Sequence, residues 1–400
     1  MIEYRGMSRP ADEQEFEAAG LLEGLDDGAR DARVRLLRDL AAGGVSIEEM
    51  KAALAEGRLA LLQVERILAG EPRLTPREVA EAAGIPVEFF IAMRQAVGIA
   101  RPDPDERVCD AQDVSSAQAF AHLRGAGFPE DSLLDVTRVL GAGLAQTADA
   151  MRMAMATVLL ESAADEYELA TRNAEAAREL LPLMTPLMEH TLRLHIRDQS
   201  RSQLFWQPEG ASPNLRQVWV AFADMVGFTR LGERIDPHDL GGLVTRLTDI
   251  ALETVTAPVR MVKTIGDAAM LVSPIPGPLV EAALTLVDQA DQQGDGFPPL
   301  RAGLAGGVAL SRGGDWYGRP VNLASRVTEV ARPGSVLATA EARDAAGDDR
   351  YSWSRAGRWE LKGFRERVPL YRVRRAEEAD ASPGPPAPRA RGSRGVWEAT

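Results

Sequence analysis

Val218-Trp219-Val220-Ala221-Phe222-Ala223-Asp224-Met225-Val226-Gly227-Phe228-Thr229 decides how the second half of this chain is read. Val218 to Phe222 is a short apolar run rich in β-formers, the pattern of a buried strand. Asp224 is expected just past its end, where Gly227 permits a tight backbone and Phe228 returns to the core. A carboxylate beside glycine at a strand end is well placed to hold a hard cation. About forty residues on, Met261-Val262-Lys263-Thr264-Ile265-Gly266-Asp267 repeats the logic. Arg260 to Ile265 reads as a strand, Gly266 as a turn, and Ala268 to Val272 as a second strand, a hairpin with an acidic tip. Either aspartate alone would be an ordinary turn residue. Together, each after an apolar strand, Asp224 and Asp267 become candidates to hold two divalent cations, Mg²⁺ or Mn²⁺, and a two-metal site suits phosphoryl transfer.

A third polar cluster follows: Gly314-Asp315-Trp316-Tyr317-Gly318-Arg319-Pro320-Val321-Asn322-Leu323-Ala324-Ser325-Arg326. Asn322 and Arg326 are four apart, so on a helix they share a face. A guanidinium there can fork onto phosphate oxygens. Between the motifs, Asp236-Pro237 predicts a helix start with Pro at its first position. Leu240, Leu243, Leu247, Ile250 and Ala251 give that helix a buried stripe. A helix over Pro278 to Gln292, strands over Arg301 to Leu310 and Ser335 to Thr339, and strand pieces near Tyr351, Trp359 and Leu370 complete the half. Strand, helix, hairpin, helix, strand is the split βαβ, ferredoxin-like order.

Phe222-Ala-Asp224-Met-Val-Gly-Phe-Thr229, Lys263-Thr-Ile-Gly-Asp267, and Asp315 with Val321-Asn322 and Arg326 resemble the catalytic domain of class III adenylyl cyclases. The match runs from about Gln217 to Arg374, and Glu360-Leu361-Lys362-Gly363-Phe364 fits a late segment of that family. The resemblance implies a site at a head-to-tail homodimer interface, with ATP as substrate. Asp224 and Asp267 of one copy would hold two metals. Lys263 and Asp315 of the other would read adenine, Asn322 would orient the ribose, and Arg326 would neutralise charge on the α-phosphate. Arg301, before Ala302-Gly303, matches the family's polyphosphate-binding arginine. A carboxylate at Asp315 accepts from the 6-amino group of adenine and repels the oxygen that guanine presents, so ATP is expected over GTP. Diguanylate cyclases share the split βαβ core, and Gly313-Gly314-Asp315-Trp316 is a faint likeness of their signature. Guanylyl cyclase activity and a non-catalytic regulator with a helix-turn-helix-like first half are further alternatives.

Four hundred residues suggest two to three domains, and 45% apolar residues can fill a sizeable core. No apolar run is long enough to span a membrane, and Met1-Ile2-Glu3-Tyr4-Arg5 does not start a signal peptide. A single cysteine, Cys109, excludes an internal disulfide framework and suits a reducing cytoplasm. The net charge of −13 is uneven: residues 1–200 carry 21 Lys and Arg against 35 Asp and Glu, residues 201–400 carry 25 against 24. An acidic first half argues against nucleic acid or anionic lipid as its partner.

That first half shows helical spacing without strand alternation, so the fold class is α+β: an all-α domain over 1–205, a linker at 206–216, the cyclase-like domain at 217–375, and a Pro/Arg/Ala-rich disordered tail at 376–400. Val34, Leu37 and Leu40 set one helix. Ser46 with Glu49 reads as a capping box opening another, with Met50, Leu54 and Leu59 on its apolar side. Leu62 to Leu68 is a further piece. Met151 to Leu181 reads as one long helix broken by Pro182, and Leu187 to about Leu204 as another after Pro186. Met151, Met153, Met155, Met184 and Met188 are expected in the core. Leu74 to Arg94 has helix-turn-helix spacing, but Phe89, Phe90, Ile91 and Met93 make its second helix a packing surface. An acidic helical domain ahead of a cyclase domain resembles the acid-sensing, autoinhibited cyclases of mycobacterial type. That resemblance implies a first domain that dimerises, packs on the catalytic half and switches it. His190 and His195 are candidate sensors, since histidine changes charge near neutral pH.

Overall fold

The computed structural model describes residues 13–69, 73–159, 165–203, 215–294, 296–347 and 350–376. Residues 206–214 of the expected linker and 377–400 of the expected tail lie outside the described residues; Leu215 and Arg216, expected in the linker, instead open the first strand of the second unit. The chain divides into two compact units at Ile196/Arg197.

The first unit is helical: α1 (Glu13–Ala18), α2 (Asp27–Ala42), α3 (Ile47–Ala55), α4 (Leu62–Ala69), α5 (Pro76–Ala83), α6 (Val87–Val97), α7 (Ala111–Gly125), α8 (Glu130–Leu159) and α9 (Glu166–Gln203). One core gathers Phe16, Leu36, Leu37, Leu40, Met50 and Leu62 from α1 to α4, with Ala170 of α9. A second gathers Val79, Phe89, Phe90, Met93 and Leu133 from α5 to α8. Arg33 binds the Glu166 carboxylate through both Nε and Nη2, and the Tyr167 hydroxyl donates to Asp39 at 3.0 Å, so the start of α9 is tied to α2. The α5–α6 pair is a structural one: Thr75 and Glu78 form a full capping box, Gly84 closes α5 at φ +69°, and Phe89, Phe90, Ile91 and Met93 are buried. Cys109 is buried too; Arg94 Nη1 donates to its Sγ at 3.2 Å, and burial, the larger influence, pushes the thiol up to about 11.

Three expectations for this half need correction. Ser46 does cap α3, accepting from Glu49 N at 3.3 Å, but the Glu49 carboxylate turns to Arg66 instead of closing a capping box. The chain does not break at Pro182 or Pro186; both lie inside α9, while the helix that holds Met151 starts at Glu130. Proline removes one hydrogen bond and crowds the preceding turn, yet this stretch of α9 is exposed, so water can take the freed carbonyls. The methionines are not core: Met153 is 56% and Met188 37% exposed, beside exposed Leu183, Leu187 and Leu192.

The second unit runs β1 (Leu215–Met225), α10 (Phe228–Leu231), α11 (Pro237–Thr254), β2 (Arg260–Ile265), β3 (Ala268–Ser273), α12 (Pro276–Asp291), β4 (Leu300–Arg312), β5 (Asp315–Tyr317), α13 (Arg319–Val330), β6 (Ser335–Thr339), α14 (Ala340–Ala346), β7 (Tyr351–Trp359) and β8 (Val368–Arg375). The sheet order is β2-β3-β1-β4-β6-β8-β7, with β5 paired to β4. Its first four strands carry the ferredoxin-like order expected from the sequence. One face packs on α11 and α12 through Trp219, Ala221, Leu247, Leu279 and Leu286. The other packs on α13 through Val218, Val220, Phe222, Leu323 and Val327. Asp236 caps α11 as expected, with Pro237 first in the helix. The pieces expected near Tyr351 and Trp359 are one strand, bulged between Arg355 and Gly357, where Gly357 has φ +107°.

Gly303 lets α13 lie directly on β4: a Cβ there would sit 2.2 Å from Thr328 N. The obstacle is backbone, which cannot swing aside. Gly303→Ala is expected to cost about 3 kcal/mol, lowering the melting temperature by about 6–12 °C in a unit of this size. Thermal melts of the purified chain check it; an unchanged melt would mean that α13 is not seated as described.

Candidate active site

Asp224 lies inside β1, correcting the shorter strand expected from sequence. It stands opposite Ala268 on one side and Arg301 on the other. Alternation along β1 puts it on the α13 face with Phe222. Arg301 Nε and Nη2 both donate to Asp224 Oδ2, at 2.8 and 2.6 Å, and Arg301 Nη1 donates to the Glu329 carbonyl of α13 at 2.8 Å. Asp267 sits in the β2–β3 turn after Gly266 (φ +58°), held by a 3.0 Å bond from Met225 N to its carbonyl. Burial pushes the Asp267 carboxyl up, and the neighbouring Asp224 charge adds to that; Arg301 works the other way. The two aspartates therefore share one field. They line a cavity of about 470 Å³ with Arg301, Phe228, Thr229 and Glu329.

Lys263 of β2 and Asp315 of β5 come together as an ion pair, although 52 residues separate them. The turn Gly313-Gly314, with both φ positive, folds β5 back on β4 as a two-residue hairpin requires. Asp315 Oδ1 also accepts from Trp316 N at 2.8 Å. Asn322 and Arg326 share a face of α13 and line a different cavity, of about 940 Å³. Arg319, Lys362, Arg365 and Arg367 join them there, against the carboxylates of Glu341 and Glu366. Arg326 pairs with Glu329 one turn on. Within one chain, Asp224, Asp267 and Arg301 thus form an acidic half and Asn322 and Arg326 a basic half, while the Lys263–Asp315 pair lines neither cavity.

A model of the adenylate cyclase regulatory domain matches residues 14–200, and a model of the adenylate and guanylate cyclase catalytic domain matches residues 211–293. A pH-sensitive adenylate cyclase of Mycobacterium tuberculosis is 39% identical over 390 residues, 94% of this chain and 96% of that relative. The chain belongs to the class III adenylate cyclases. It carries the N-terminal regulatory domain of that family ahead of the catalytic one. An adenylate cyclase of Streptomyces coelicolor is 31% identical over 70% of this chain and 74% of its own length. The solved adenylyl cyclase CyaB of P. aeruginosa covers 40% of this chain and 94% of its own, at 24% identity and a TM-score of 0.33.

Two features of the candidate site are not evident from sequence. Glu329 serves both halves, its carbonyl accepting from Arg301 and its carboxylate from Arg326. It lies one helical turn past Arg326, a spacing that could have drawn attention to it. The basic rim from Lys362 to Arg367 was visible as three cations in six residues. His190 and His195 are exposed on α9, as are His122 on α7 and His238 at the start of α11. Among the described residues no helix is long and apolar enough to cross a membrane.

Proposed function

We propose that this adenylate cyclase turns ATP into 3′,5′-cyclic AMP and pyrophosphate in pockets completed by a second copy of the chain. The observation that carries the reading is the split just described: Asp224 and Asp267 line one cavity and Asn322 and Arg326 another. A head-to-tail pair would set the acidic half of one copy against the basic half of its twin.

The residues present fit divalent cations. Two carboxylates offer hard oxygen donors, and no cluster of three or more potential ligands occurs among the described residues. That leaves positions for phosphate oxygens and water, the habit of Mg²⁺ in nucleotide sites. Bound there, two cations supply Lewis acidity to the phosphates and to the ribose hydroxyl. The chain's own groups do the rest by positioning. Lys263 donates to adenine N1 and Asp315 accepts from its 6-amino group. Asn322 orients the ribose so that its 3′-oxygen lines up with the α-phosphorus. Arg326 meets the charge that grows on the α-phosphate as pyrophosphate leaves. Arg301 takes up the polyphosphate. Specific activity is expected to fall on dilution as pairs separate. Monomers, seen as such by sedimentation, that kept full activity would sink the shared pocket.

The regulatory unit is read as packing on the catalytic unit and responding to acid. A lone, buried thiol suits a reducing cytoplasm. Protonation of His190 or His195, both exposed on α9, would favour the active pair and raise activity toward acid. Five residues apart, they lie about 140° round the helix, so they would act separately. Changing both to Asn should flatten the profile of cyclic AMP formation between about pH 5 and 8. An unaltered profile removes them as sensors.

A further inference from the structure

A third cavity, of about 260 Å³, opens on the α13 side of the sheet and shares no lining residue with the two halves of the active site. Its floor is a row across three strands: Leu337 of β6 stands opposite Arg372 of β8, which stands opposite Ser354 of β7. Arg332, just past α13, and Arg355, at the β7 bulge, close round it with Trp359. Ser335 Oγ donates to the Arg332 carbonyl at 2.7 Å, and Trp359 Nε1 to the Ala356 carbonyl at 3.1 Å, so the turns bearing the rim are fixed.

The three guanidiniums have no visible reason to be together. Several arginines elsewhere in this unit do have carboxylate partners: Arg301 with Asp224, Arg326 with Glu329, Arg375 with Glu281 and Asp288. Among the described residues, Arg332, Arg355 and Arg372 make no side-chain ion pair or hydrogen bond, and Arg372 Nε is buried without a partner. A buried donor left unmade is costly, and three like charges round one cavity repel. A doubly charged oxyanion held between them would offset that repulsion, because guanidinium forks match phosphate oxygens.

We propose that this cavity is an anion site outside the catalytic pocket, holding the phosphate of a small phosphorylated ligand on Arg372, Arg355 and Arg332. The volume suits a group between pyrophosphate and a nucleoside monophosphate. Equilibrium dialysis of the full chain without divalent cations tests it, with pyrophosphate and AMP as separate probes. Saturable binding is expected, retained in Asp267→Asn and weakened about tenfold by Arg355→Gln or Arg372→Gln, and falling with salt. Tighter pyrophosphate means that a free polyphosphate is the natural occupant; tighter AMP means a nucleotide. Arg355 is exposed, so its variant decides should Arg372→Gln fail to fold. Binding unchanged in Arg355→Gln, lost in Asp267→Asn, or absent at millimolar probe would overturn the proposal.

Discussion

Asp267→Ala and Arg326→Ala are each expected to lower cyclic AMP formation by about a thousandfold or more, the scale seen when metal ligation or a charge-neutralising arginine is lost in phosphoryl transfer. Mixed in equal amounts, the two dead proteins should regain about a quarter of the parent's activity. Half of the pairs would be mixed, and each mixed pair would hold one intact pocket and one doubly damaged one. The argument rests on where the groups lie: Asp267 lines the acidic cavity and Arg326 the basic one. A mixture as inactive as its parents, with heterodimers shown to form, would mean that each chain closes its own pocket.

The second large effect is on the base. Lys263 and Asp315 are locked to each other in the structure, so a base must replace that bond with two of its own. Asp315→Asn keeps the shape but offers the ring an amide that can donate as well as accept. The ratio of kcat/KM for ATP over GTP is expected to fall by about a hundredfold, the worth of a charged hydrogen bond that only one substrate can make. A ratio that does not move would leave Lys263 and Asp315 as a structural strut between β2 and β5, and reopen guanylyl cyclase activity.

The catalytic half was legible because its strands are apolar runs ended by glycine or aspartate, as at Val218–Asp224 and Lys263–Asp267. Only the ends slipped: β1 runs on to Met225 because Arg301 and Ala268 still pair with Asp224. The strand at Tyr351–Trp359 read as two pieces because its bulge interrupts the alternation that marks a strand. What could not be read was partnership across distance. Glu329 has the sequence context of an ordinary helix-surface residue, and only the fold brings Arg301 and Arg326 onto it. The helical half was harder. Helical spacing identifies an apolar stripe but not whether that stripe is covered within the same chain, so Met153 and Met188 were placed in a core and lie outside it. Pro182 and Pro186 read as stops because local propensity usually wins there; in α9 the helix on both sides carries through.

Those two prolines, one turn apart, leave the carbonyls of Arg178 and Pro182 without their usual partners four residues on. A rod missing neighbouring rungs bends most easily where they are gone. Torque applied to either end of α9 would therefore concentrate over residues 178–186, making this stretch a compliant joint in an otherwise stiff lever.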